Sequence, residues 1–204
     1  MFARLAQLGF VAVALCVMAA PAEAQAPGVC IITRVDGDAV ASARGAGQRP
    51  AEVGLGLGRN ATLRTRSQAR VTMACPDGLQ VVVGPQSEIA MASVLGQATR
   101  PVALRLIDGI AGFLFNGDGG DGVQVRTPSA VAAVRSTEWA MRVQDGASAV
   151  FARDGLVFVV AEGGSVRLGP GEGVDVTRTG EVGPVARWGQ ARIDLFDGLL
   201  GQDW

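Results

Sequence analysis

From residue 30 onward, apolar and polar positions alternate with a period of two in short runs, the signature of half-buried strands. The alternation predicts strands at 30–35, 39–43, 61–64, 69–75, 79–83, 88–92, 102–107 and 110–115, then at 148–152, 156–160, 165–168 and 174–177. Residues 44–52 read as a loop, and 53–57 lead into Gly58-Arg59-Asn60. Between 123 and 143 an extended segment meets a Thr-Pro break, an Ala/Val run, an Arg-Ser-Thr-Glu step and a further strand. In that strand Trp139, Met141 and Val143 share one face, with Glu138, Ala140 and Arg142 on the other. Asp-Gly dipeptides beginning at 36, 77, 108, 118, 121, 145, 154 and 197 punctuate the runs, and Gly-Pro falls at 84, 169 and 183. Asp-Gly between alternating runs signals a hairpin, because both residues accept positive φ. Strands of about 4–7 residues at this spacing give an all-β barrel, sandwich or solenoid.

Two departures interrupt this regularity. Arg64-Thr65-Arg66-Ser67 is echoed by Arg126-Thr127-Pro128-Ser129, and Val83-Gly84-Pro85 by Leu168-Gly169-Pro170, as a repeated β unit or chance in a Gly/Val/Arg-rich chain would produce. In the tail, Trp188, Ala191, Leu195 and Leu199 recur at roughly helical spacing. That pattern fits a short amphipathic helix closing one end of the β structure, although Gly189 and Gly198 oppose it. Its alternative is a disordered partner-binding peptide, with Trp188, Leu195 and Leu199 as contacts.

Composition narrows the class. Gly makes up 29 of 204 residues and charged residues 18%, which suits a turn-rich β protein. All basic residues are Arg, with Lys, His and Tyr absent, and the net charge of -1 shows no basic stripe for nucleic acid. Residues 1–24 have the layout of a secretory signal: Arg4, an apolar run from Leu8 to Ala20, and Ala22-Glu23-Ala24 as the cleavage site. Cleavage after Ala24 removes Arg4 and Glu23 together, so the charge stays at -1, and the product has no membrane span. It also removes Cys16, leaving Cys30 and Cys75. In an oxidising compartment these two have one intramolecular pairing, worth ~4 kcal/mol on the chain-entropy model; the alternative is two buried thiols.

Several function classes drop out. Without His there is no Ser-His-Asp triad, Cys-His dyad or His-ligated metal site. Without Lys a phosphate-binding Gly-Lys-Ser/Thr loop cannot be completed. Carboxylate-only hydrolysis stays open in principle, but most Asp residues precede Gly in turns. Gly117-Asp118-Gly119-Gly120-Asp121-Gly122 offers oxygen ligands for calcium, yet a calcium roll needs repeated copies and there is one; a hairpin loop is the plainer reading. Arg135, Glu138 and Arg142 form either a polar contact patch or a solvated cross-strand ion pair.

The order of motifs from Gly58 to Val176 resembles the FecR domain, a bacterial envelope module. The matching stretches are GRNATLRTRS (58–67), PDGLQVVVGPQSE (76–88), VALRLIDGIAGFLF (102–115), VQVRTPSAVAAVRSTEWAMRV (123–143) and VRLGPGEGVDV (166–176). Together they span about 120 of 204 residues. The family's usual Gly-Thr is replaced here by Ser136-Thr137-Glu138 before Trp139. The resemblance implies an all-β fold of stacked antiparallel hairpins, solenoid-like or sandwich-like, to which the tail pattern can add a short C-terminal helix. Together with the residue pattern this divides the chain into 1–24 signal peptide, 25–57 N-terminal strands joined to the main domain, 58–178 FecR-like domain and 179–204 tail. FecR regulators also resemble an anti-sigma segment followed by a membrane span, and this chain shows neither, so that role is not carried over. The expected function is a periplasmic or secreted, non-enzymatic protein with no cofactor and no small-molecule ligand, contacting another envelope protein in signalling or assembly. A polysaccharide-binding module is the alternative, and a carboxylate-dependent hydrolase comes third.

Overall fold

The computed structural model describes residues 30–43, 46–91, 102–116, 122–201 and 204; the expected signal peptide, Cys16 and the calcium-like segment up to Asp121 lie outside the described residues. The alternating pattern produces β1 (Cys30–Asp36), β2 (Ala39–Ala43), β3 (Ala46–Pro50), β4 (Gly56–Leu57), β5 (Thr62–Thr65), β6 (Arg70–Ala74), β7 (Leu79–Val83) and β8 (Glu88–Met91). Then follow β9 (Val102–Phe115), β10 (Val123–Arg126), β11 (Val131–Gln144), β12 (Ala147–Ala161), β13 (Gly164–Leu168), β14 (Glu172–Val176) and β15 (Ala186–Arg187), with one helix, α1 (Gln190–Leu200). The fold is all-β, as its alternation and resemblance imply, and the tail takes the helical one of its two expected forms. The segment 44–52, expected as a loop, contains β3, because its residues pair with β2 in the register Val40↔Pro50 to Ala43↔Ala46.

The Asp-Gly dipeptides have different fates, decided by what flanks them. Asp77-Gly78 and Asp145-Gly146 have positive φ at both residues (62° and 78°, 52° and 78°) and close the β6–β7 and β11–β12 hairpins. Asp108-Gly109 and Asp154-Gly155 do not turn the chain. The runs 102–107 and 110–115 join into β9, and 148–152 and 156–160 into β12. Here glycine takes φ 86° and 73°: at Gly155 β11 pairs past the site with shifted register, whereas at Gly109 β8 pairs up to Asp108 and β11 takes over from Gly109 onward. Gly109 is required twice, since a Cβ there would also lie 2.2 Å from Ser87 Oγ. The Ser87 hydroxyl fills the bulge, accepting a hydrogen bond from the Ile110 N–H at 2.8 Å. Asp197-Gly198 lies within α1.

These bulges let three long strands serve two layers. The C-terminal half of β9, pairing β7 and β11, belongs to one layer with β12, β14, β6 and β1. The N-terminal half of β9, pairing β8 and the parallel β10, belongs to the other with the first part of β11, the second part of β12, and β13, β5 and β2. Their inner faces share one core, from Ile32, Met73 and Val81 through Phe113, Trp139 and Met141 to Leu104, Val125, Val159 and Leu168. Trp139 stacks on Phe113 with ring centroids 4.8 Å apart. Its indole N–H is buried without a hydrogen-bond partner.

The echo between 64–67 and 126–129 has a structural counterpart. Thr65 and Thr127 are both buried after an exposed Arg. Each hydroxyl bonds a buried serine: Thr65 Oγ1 accepts from the Ser87 N–H at 2.9 Å, and Thr127 Oγ1 accepts from Ser148 Oγ at 2.7 Å. Thr127 Oγ1 also accepts from the Ala130 N–H at 2.9 Å, so the Thr-Pro break is a turn fastened by its own threonine.

Candidate interaction surfaces

Cys30 and Cys75 are bonded, clamping the start of β1 to the end of β6 beside the pair Ile31↔Ala74. No described helix is long and apolar enough to cross a membrane.

The tail is a helix lying on the outer face of the first layer. Registers place Val82, Gly112, Ala140, Phe151 and Gly173 in one row across β7, β9, β11, β12 and β14. The small members of that row leave room for rings. A Cβ on Gly173 would come 2.3 Å from Trp188 Cε2, and one on Gly112 would come 2.9 Å from Trp204 Cβ. Trp188 stacks on Phe151 at 4.9 Å and meets Phe196 edge-on at 5.0 Å. Phe196, Leu200 and Trp204 complete this second core with Ala140 and Ile110. Ala140, expected on a solvent face, is therefore buried.

Three arginines fix the tail. Arg70 donates from Nε to Leu199 O at 2.9 Å and from Nη2 to Gly198 O at 3.0 Å, meeting carbonyls at the helix C-terminus. Arg153 lies 3.8 Å over the Trp204 ring and pairs with Asp197, which also accepts the Trp204 indole N–H at 3.1 Å. Arg192 covers the Trp188 ring at 3.6 Å and donates from Nη1 to Asp175 at 2.9 Å. Gly112→Val is expected to unseat Trp204: the tryptophan emission shifts red, acrylamide quenching rises, and stability falls by about 1–3 kcal/mol. Gly198→Ala, with open space at its Cβ, is expected to stabilise α1 by about 1 kcal/mol on the same urea titration. An unchanged spectrum for Gly112→Val would mean that the ring seat is not formed in solution.

The sequence-predicted contact residues fall in separate places. Trp188 is buried by the tail's own docking and Leu199 is half-buried against the second core. Leu195 remains 48% exposed. It lines a cleft of about 470 Å³ together with Arg142, Asp145, Asp175 and Arg192, so the structure joins one residue of each predicted patch. Glu138 sits elsewhere, at the bulged corner opposite Asp154. Arg135 is exposed on the outer face of the second layer. No hydrogen bond or ion pair joins Arg135, Glu138 and Arg142 among the described residues.

A polar depression of about 570 Å³ lies over Arg64, Arg66, Gln86 and Asp108. Arg64 donates to Glu88 at 2.8 Å, and this hydrogen bond, with the carboxylate charge, holds the guanidinium pKa above its ordinary value. A further surface lay hidden in the sequence. On β12, Leu156, Phe158 and Val160 alternate at 48%, 49% and 51% exposure on the outer face of the second layer. The signal for it was available, since this run is apolar at consecutive positions rather than alternating.

The fold is thus a disulfide-clamped, two-layered β domain with one outer face covered by a helix and the other covered by no element among the described residues. Residues 61–158 match the family described as FecR protein. Two crystal structures of a protein described as a "putative anti-sigma factor" from Parabacteroides distasonis ATCC 8503 share the fold, each at 22% identity and a TM-score of 0.52. The likeness covers 61% of this chain and 57% of that one, so the chain spans little more than half the length of that protein. No curated protein matches the chain.

Proposed function

We propose that this chain is an exported, non-enzymatic FecR-domain protein that acts by contacting another protein in envelope signalling or assembly. The observation that carries the reading is the FecR domain itself, combined with a disulfide that suits an oxidising compartment. The anti-sigma description of the structural neighbour supports a signalling context. In this reading residues 1–24 are a signal peptide cleaved after Ala24, and the domain works in the periplasm or outside the cell.

The polysaccharide alternative needs an exposed aromatic platform. All three tryptophans are committed to interior packing, with Trp139 in the first core and Trp188 and Trp204 in the second. Among the described residues Phe158 is the exposed aromatic side chain that remains, and one ring is a poor platform for a sugar chain. Fractionation and photo-crosslinking in native cells test the proposal. The expected result is a periplasmic or secreted chain, beginning at Gln25, crosslinked to an envelope protein. A cytoplasmic chain, or one crosslinked to glycan, would overturn it.

A further inference from the structure

We infer that the outer face of the second layer, which no element covers among the described residues, together with the open edge of β13, is a docking surface for an extended, acidic and apolar segment of a partner protein. This inference rests on the interaction role proposed above and assigns it a place and a chemistry.

The two outer faces of the sheet are treated differently. The first is sealed by α1 and by Trp188 and Trp204 on either side of it. The second carries Leu156, Phe158 and Val160 at consecutive outward positions of β12, each about half exposed. Its registers continue the apolar strip onto β11 through Phe158↔Ala133 and Val160↔Val131. Large side chains left bare on adjacent positions mark a contact surface more than isolated ones do.

Arginines flank the Leu156–Phe158–Val160 strip on this face. Arg167 lies across from Phe158 on β13, while Arg126 and Arg105 are register partners on β10 and β9, with Arg126 beside Val131. Arg135 stands beside the strip at the β11 bulge. All four are exposed, and none makes an ion pair among the described residues; Arg126 donates to Gln124 at 3.3 Å. The cross-strand rows Arg167–Phe158–Ala133–Gln124–Ala103 and Ser165–Val160–Val131–Arg126–Arg105 contain no carboxylate. Glu138 and Asp154 face each other at the corner, Asp108 stands three residues beyond Arg105 on β9, and the exposed Glu162 follows the end of β12. A chain of net charge -1 therefore holds a locally cationic, apolar face. Its complement alternates Asp or Glu with apolar residues.

The open edge selects an extended protein segment. β13 pairs with β12 on one side alone, so its other backbone edge is unpaired among the described residues. A strand added there satisfies those N–H and C=O groups and can place its side chains beside Arg167 and Phe158. A lipid surface offers no such backbone ladder. A second copy of the chain, face to face, would set arginine against arginine.

The test places photoreactive p-benzoylphenylalanine at position 158 of the full chain in native cells, and in parallel at position 195 in the cleft beside α1. The expected result is a crosslink from position 158 to an extended segment in which Asp or Glu alternates with apolar residues, as read by mass spectrometry of the crosslinked peptide. The yield should fall at least tenfold in the Arg126→Glu, Arg167→Glu background, whose thermal unfolding should match the parent. Undiminished crosslinking in that background, a non-acidic peptide, a lipid adduct or a crosslink to the chain itself would overturn the inference. Capture from position 195 alone removes this surface and leaves the interaction role standing. Capture from neither position removes both.

Discussion

Trp139→Ala is expected to destabilise the domain by about 3–5 kcal/mol, whereas Trp139→Phe should stay within about 1 kcal/mol of the parent. The alanine variant loses a ring stacked on Phe113 at the centre of the shared core and leaves a cavity that two rigid layers cannot collapse around. The phenylalanine variant keeps the stack and removes an indole N–H that is buried without a partner. Relief of that unpaired donor, worth about 1–3 kcal/mol, offsets the smaller ring's lost contacts. Urea unfolding of the three proteins decides the matter. Equal losses for both variants would show that the N–H has a partner, such as a buried water.

Cys30→Ser with Cys75→Ser is expected to cost about 4 kcal/mol, moving the urea midpoint down by roughly 2 M for a typical slope. The bond closes a sequence separation of 45 residues, and its loss frees the first strands in the unfolded chain. β1 feels the loss most: it carries the short β4 on one side, so its pairing with β6 is its main anchor. Reductant applied to the parent should reproduce the shift and leave the double variant unmoved. A double variant as stable as the parent would show that strand pairing alone holds β1, or that the unfolded chain keeps structure there.

The contrast between the Asp-Gly sites shows where local pattern suffices. At Asp77-Gly78 and Asp145-Gly146 the flanking strands pair with each other, and the hairpin forms as the dipeptide predicts. At Asp108-Gly109 and Asp154-Gly155 the same dipeptide becomes a bulge. There the flanking runs find partners on other strands and gain more by continuing than by folding back. Ser87, over twenty residues away from Gly109, fills the space. No reading of residues 102–115 alone could supply it.

The predicted contact residues divide along the same line. Trp188 has the composition of a binding anchor, and the structure uses it against Phe151. What makes that docking favourable is a row of small residues, Gly112, Ala140 and Gly173, drawn from three strands far apart in sequence. Arg135 and Glu138, three residues apart, are parted by the bulge between Val134 and Thr137.

The sequence by itself determined that the chain is all-β and that Trp139, Met141 and Val143 face inward, while it left the tail open between a short helix and a disordered peptide. It also carried the FecR motif order. These are properties of period, turn chemistry and composition, which act between neighbours. Tertiary structure decided which Asp-Gly sites turn, which outer face the tail covers, and which face stays apolar and cationic. Those outcomes depend on cross-strand register, and register sums contacts between strands that the linear order keeps apart.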